Sequence, residues 1–143
     1  MTDTLKRIAR IQKYRETEAR RELARAVEQE RADLDQLDEM HQAVAEQREQ
    51  RHDTDADDLA RHHAWSLRME MDLRRQLGTL EQTEVVVRHK RRQLVYAAQA
   101  LEATRAVMDQ LQRTQANERL RDEERELSEI GTTLWWRNNQ GSR

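Results

Sequence analysis

The sequence predicts an all-α fold, a long antiparallel two-helix coiled-coil hairpin with an overhanging C-terminal helix. Three observations predict it. None of the 143 residues is proline, so no residue removes a backbone donor or collides with the preceding turn. Charged residues make up 38% of the chain and aromatics only 3%, with no phenylalanine or cysteine, so an ordinary compact core has too little bulk to form. The 36% that is apolar, mostly Leu, Ala, Val, Ile and Met, recurs in steps of three and four, which is helical periodicity and not the pattern of a disordered chain.

The first helix is expected over about residues 3–51. Thr2, Asp3 or Thr4 supplies its cap, and an apolar stripe opens with Leu5 and Ile8 and returns at Leu23, Val27, Leu34, Leu37 and Val44. Arg15 and Glu16 fall near the stripe between Gln12 and Ala19, where looser pairing or an external partner is expected. The apolar pattern stops in RHDTDADD, and a turn over about residues 52–57 follows, with Asp53, Thr54, Asp55, Asp57 and Asp58 as possible caps for the next helix.

That second helix is expected over about residues 58–134, ending in a short tail. Leu73, Leu77, Leu80, Glu84, Val87, Arg91, Leu94, Ala98, Leu101, Arg105 and Met108 step by threes and fours and read as its seam. Arg91 and Arg105 are then register-setting charges in a wet seam. The stripe resumes one residue late at Leu120, Leu127, Ile130 and Leu134. Gly78 lies off the seam inside the helix, and Gly131 is the expected stop. A turn centred near residue 54 sets Leu5 opposite about residue 103, leaving roughly 25 to 30 residues of the second helix without an internal partner. An apolar stripe in that overhang calls for another subunit or protein.

The composition excludes several function classes. With 26 Lys and Arg against 28 Asp and Glu, the net charge of -2 provides no general attraction to nucleic acid or an anionic membrane. The run Arg88, His89, Lys90, Arg91 and Arg92 wraps all round a helix and reads as a solvated charge run. No stretch approaches the roughly 20 apolar residues of a membrane span, and the opening residues lack a secretory pattern, so a cytosolic protein is expected. His52, His62 and His63 lie beside the aspartates of the turn, but without metal-ligand spacing they read as part of a solvated turn. No nucleophile and base arrangement and no glycine-rich phosphate loop occurs, so neither an enzyme nor a cofactor is expected.

The opening TLKRIARIQKYRETEARRELARA, the acidic turn followed by HHAWSLRMEMDLRRQLGTLEQ, the stretch RRQLVYAAQALEATRAVMDQL and the closing ERLRDEERELSEI together resemble the flagellar FliJ family and its injectisome relatives of the YscO type. The resemblance covers nearly the whole chain and leaves flagellum and injectisome both open. The tail TTLWWRNNQGSR departs from the family pattern, and the family's export-gate surface has no residue-by-residue match here. Members of that family are antiparallel helical hairpins that act as central stalks of type III export, inserting their paired termini into a hexameric export ATPase. They also touch the membrane export gate nearer the hairpin end and help to hand over export chaperones and their substrates. The resemblance implies a cytoplasmic protein at the inner face of the export machinery that hydrolyses nothing itself.

Contact residues follow from exposure of apolar groups off the seam, among them Ile11, Tyr14, Met40, Trp65, Met69, Met71, Val85, Val86 and Tyr96. Met40, Trp65, Met69 and Met71 sit on the half where the resemblance implies the export-gate contact. Lys6, Arg7, Arg10, Arg119 and Arg121 are the candidate cations for acidic loops of the ATPase ring. Trp135 and Trp136 are candidate anchors for the tail. Two other classes are carried beside the stalk. A coiled-coil chaperone or adaptor for export clients is one, and a self-assembling structural rod is the other.

Overall fold

The computed structural model describes residues 2–50 and 55–141. They form two α-helices, α1 (Thr2–Glu49) and α2 (Ala56–Gly141), and no strand occurs among the described residues. Helices of 48 and 86 residues far exceed the globular average, as a proline-free chain rich in Ala, Leu, Arg, Glu and Gln permits. Both boundaries differ slightly from expectation at the turn. The proposed caps Asp53 and Thr54, and His52, lie outside the described residues. Asp55 acts as the cap of α2, its Oδ1 accepting the Asp58 backbone N–H at 2.8 Å.

By its internal contacts the chain divides into two units, one of residues 12–99 and one combining residues 1–11 with 100–143. In the first, α1 and α2 pair antiparallel: Asp33 bonds Gln76 and Thr83, while Glu22, earlier in α1, meets Lys90, later in α2. These bonds place the register about four residues beyond the one a turn centred on residue 54 gives. On α1, the inward positions are Gln12, Glu16, Ala19, Leu23, Ala26, Glu30, Asp33, Leu37, Met40 and Val44, alternating fours and threes without a break. On α2 they are Leu73, Gln76, Leu80, Thr83, Val87, Lys90, Leu94 and Ala97, and Val87 is the most deeply buried at 2% exposure.

One of the two α2 columns is therefore as expected, and the other is one residue earlier. Leu77 is 45% exposed, and Glu84 and Arg91 face solvent, while Gln76, Thr83 and Lys90 turn inward. The reason is charge. The column through Leu77, Glu84 and Arg91 would bury two formal charges within one heptad, whereas the column through Gln76, Thr83 and Lys90 buries one, and that one reaches Glu22 at 2.9 Å. Arg91 is thus a surface residue with no register-setting role. On α1, Leu34 is outward-facing, and buried Asp33 takes the inward place beside it.

Two of the buried polar seam positions, Asp33 and Glu16, are satisfied by specific bonds. Asp33, 4% exposed, accepts from Thr83 Oγ1 at 2.6 Å and from Gln29 Nε2 at 3.0 Å, and its carbonyl accepts from Gln76 Nε2 at 3.2 Å. Glu16, 5% exposed, pairs with Arg20 at 2.6 Å and lies 3.6 Å from Lys13. Near it the buried Gln12 Oε1 has no hydrogen-bond partner, and Arg15 points to solvent. The interval between Gln12 and Ala19 is thus polar on its inward side, although Glu16 within it is buried.

In the other unit, Leu5 and Ala9 of α1 turn inward, as do Leu101, Thr104, Met108 and Leu111 of α2. Leu101 is buried, and Arg105, expected on the seam, is exposed for the same reason as Arg91. Every described residue from 112 onward is exposed, so the overhang exists and is about the length expected. It does not stop at Gly131. The helix runs to Gly141, and no described glycine has a positive φ. A lone glycine costs only about 1 kcal/mol in a helix interior. Here the hydroxyls of Thr132 and Thr133 donate to the carbonyls of Ser128 and Glu129, both at 2.9 Å, across the glycine.

Candidate partner-binding surfaces

Near the turn in the unit of residues 12–99, Val44 and Arg48 of α1 and His62, Trp65, Met69 and Leu73 of α2 line a shallow groove. His62 and Trp65 stack at a tilt, with ring centroids 6.0 Å apart and 30° between planes, and Ser66 Oγ lies 3.4 Å from His62 Nε2. The spacing of four residues that carries the helix pairing also sets Trp65 and Met69 one turn apart on a common face. This groove gathers Trp65 and Met69 but not all four residues expected there. Met40, Trp65 and Met69 are half-buried and face the partner helix, so they are not off the seam. Met71 is 62% exposed, and two residues of helical rotation past Met69 aim it away from the groove.

The expected cations are all exposed and all lie in the unit that combines residues 1–11 with 100–143. Lys6, Arg7 and Arg10 share one face of the first turns of α1, because positions three and four apart are neighbours on a helix. Arg119 and Arg121 are 8 and 10 residues beyond Leu111, the last inward-facing residue of α2. At 1.5 Å per residue that is roughly 12 to 15 Å further along the axis. The five residues therefore form two separate groups, one on the paired end and one on the overhang.

On the overhang, Leu120, Leu127, Ile130 and Leu134 form an exposed apolar row, and Trp135 and Trp136 stand beside it. The two indoles meet edge to face at 5.5 Å between centroids, each more than half exposed, so they contact one another without covering Leu134 fully. Ile130, Thr133, Leu134 and Arg137, with Glu126 and Glu129 at the rim, frame a shallow hollow on the row.

A further surface, between Tyr14, Arg15 and Glu18 of α1 and Gln93, Tyr96 and Ala97 of α2, has two outward tyrosines on one groove. Sequence shows each tyrosine singly, while their juxtaposition needs the antiparallel register. Among the described residues no group of three or more His, Asp or Glu side chains is placed to hold a metal ion, and no helix is long and apolar enough to cross a membrane.

Compared with family models, with curated proteins and with solved structures, the chain matches none.

Proposed function

We propose that the chain is a central stalk of a bacterial type III export apparatus, promoting the assembly and activity of a hexameric export ATPase and linking it to the cytoplasmic part of the export gate. The observation that carries the reading is the 30 exposed helical residues from 112 to 141, continuous with an antiparallel helix pair and lined by an apolar row. An axle needs a helix pair for its body and a projecting helix to engage a ring, and the unit of residues 1–11 and 100–143 contains paired helical segments and an exposed extension. Lys6, Arg7, Arg10, Arg119 and Arg121 are the cations offered to the ring. The groove of Trp65 and Met69, with Met71 outside it, is the surface offered to the gate. Its place of action is the cytoplasmic face of the export machinery, and flagellum and injectisome fit equally.

The test is the ATP hydrolysis rate of the host's export ATPase titrated with this protein, beside a sizing measurement of the mixture. Stimulation that saturates near one chain per six ATPase subunits is the expected result. Absence of binding and stimulation overturns the reading and leaves a chaperone for export clients or a structural rod.

A further inference from the structure

The overhang carries a seam of its own, in a different frame from the one that pairs α2 with α1. Extending the threes and fours of Leu101, Thr104, Met108 and Leu111 meets Gln115, Glu118, Asp122 and Arg125, all polar. The apolar row instead runs through Leu120, Glu123, Leu127, Ile130, Leu134 and Arg137, again alternating threes and fours over about two and a half heptads. At 100° per residue this row lies roughly a quarter-turn round the helix from the inward face of the same unit. Whatever covers it approaches from a direction α1 does not occupy.

The charges in the row select the occupant and its direction. A second copy of this chain brings an identical row, and two copies related by a two-fold axis bury it isologously. Laid parallel, the copies set Glu123 against Glu123 and Arg137 against Arg137, two like-charge layers inside the seam. Laid antiparallel about Ile130, they set Glu123 of each beside Arg137 of the other, and Leu127 of each fits the hollow framed by Ile130, Thr133, Leu134 and Arg137. The antiparallel arrangement converts both unfavourable layers into opposite-charge pairs and stacks Leu127, Ile130 and Leu134 centrally, where water is excluded best.

We propose that the overhang, residues 120–137, is an antiparallel self-association seam, through which two free copies of the chain pair about Ile130. The inference concerns the free chain and does not rest on the export reading, which needs a single copy in the ring complex.

The full chain contains no cysteine, so disulfide trapping is clean. Chains carrying Glu123→Cys and chains carrying Arg137→Cys are mixed and oxidised, while sedimentation equilibrium follows the wild type over a range of concentrations. The expected results are a mixed disulfide between positions 123 and 137 and a mass rising from one chain toward two. Ile130→Asp abolishes the rise with circular dichroism intact, Arg137→Glu weakens it at least tenfold, and adding Glu123→Arg to Arg137→Glu restores it. Homodisulfides in place of the mixed product overturn the antiparallel pairing. A chain monomeric throughout, whose overhang becomes protected from proteolysis only when export ATPase is added, gives the row to that partner and overturns the proposal.

Discussion

Replacing Asp33 with alanine lowers the stability of the helix pair by about 2 kcal/mol, and the structure indicates where that figure comes from. The carboxylate is 4% exposed and accepts two side-chain hydrogen bonds, from Thr83 at 2.6 Å and Gln29 at 3.0 Å. Bonds to a charged group contribute roughly 1.5–3 kcal/mol each, so about 3–6 kcal/mol is lost in gross terms. Against this, alanine no longer carries the several kcal/mol that desolvating a carboxylate costs. The donors are not stranded either. Thr83 already lies 3.0 Å from the Thr79 carbonyl, Gln29 is exposed and turns to water, and Gln76 keeps its bond because it uses the backbone carbonyl of residue 33. The balance is a moderate loss.

In urea, with a slope of about 2 kcal/mol per M for a chain of this size, the loss moves the unfolding midpoint down by about 1 M, read by circular dichroism at the helical minimum. A cycle with Thr83→Val should give a coupling of about 1 kcal/mol, because the two side chains share a short bond of 2.6 Å between the helices. The pair Asp33→Leu with Thr83→Val should recover the stability, since well-packed apolar groups replace buried charge at no net cost. Its register should then be less exclusive, seen as disulfides trapped between more than one pair of cross-helix cysteines. A midpoint that moves by under about 0.3 M in Asp33→Ala, with no coupling to Thr83, would refute the view that this carboxylate sets the register.

Leu80→Ala should cost about 2–4 kcal/mol and Leu77→Ala under about 0.5, since the first is buried and the second 45% exposed; equal effects would put the seam back in the other column. Gly78→Ala should stabilise by about 1 kcal/mol, because nothing lies within 4 Å of the added methyl and the residue is inside a helix, and a loss of stability would show a clash the structure does not contain. Asp55→Ala should remove about 1 kcal/mol by deleting the cap of α2, while Asp55→Asn should retain most of it, both measured by chemical unfolding. Glu22→Gln should cost at most about 1 kcal/mol, and less in high salt, because the Lys90 pair is only partly buried.

Helix content and the antiparallel pairing were legible because they depend on features every residue advertises: no proline, strong helix formers and one break in periodicity. The α2 column through Leu73, Leu80, Val87, Leu94, Leu101 and Met108 was legible for the same reason, being apolar at every step. Its companion was not, because Gln76, Thr83, Lys90, Ala97 and Thr104 contain no large apolar residue at all, and Leu77 stands next to the true position. Counting charges would have found it. The neighbouring column holds Glu84, Arg91 and Arg105, while the correct one holds a single lysine whose carboxylate partner, Glu22, lies on the other helix. The same applies to Met40, Trp65 and Met69, which face outward only if the seam runs through the Leu77 column. Glycine at position 131 misled for a different reason, since it ends a helix only where the chain adopts a left-handed turn, and none of the described glycines does.

The seam and the overhang make one physical argument about how this chain is organised. In the unit of residues 12–99, half of the inward positions are small or polar, so hydrophobic burial alone would hold several registers about equally well. Asp33 with Thr83, and Glu22 with Lys90, select one of them by bonds that a shifted register cannot form. From residue 112 the balance reverses: Leu120, Leu127, Ile130 and Leu134 give strong apolar drive with no partner among the described residues, and Glu123 and Arg137 are the charges in their row that specify geometry. A weakly hydrophobic, strongly specified seam suits a pair that must hold its own alignment. A strongly hydrophobic row with few specifying charges suits a surface that exchanges partners, pairing with a second copy when free and releasing it when a tighter site competes. Binding of the overhang to any other protein should therefore dissociate the self-paired form in proportion to occupancy, and Ile130→Asp should weaken both associations while leaving the unfolding of the Asp33 seam unchanged.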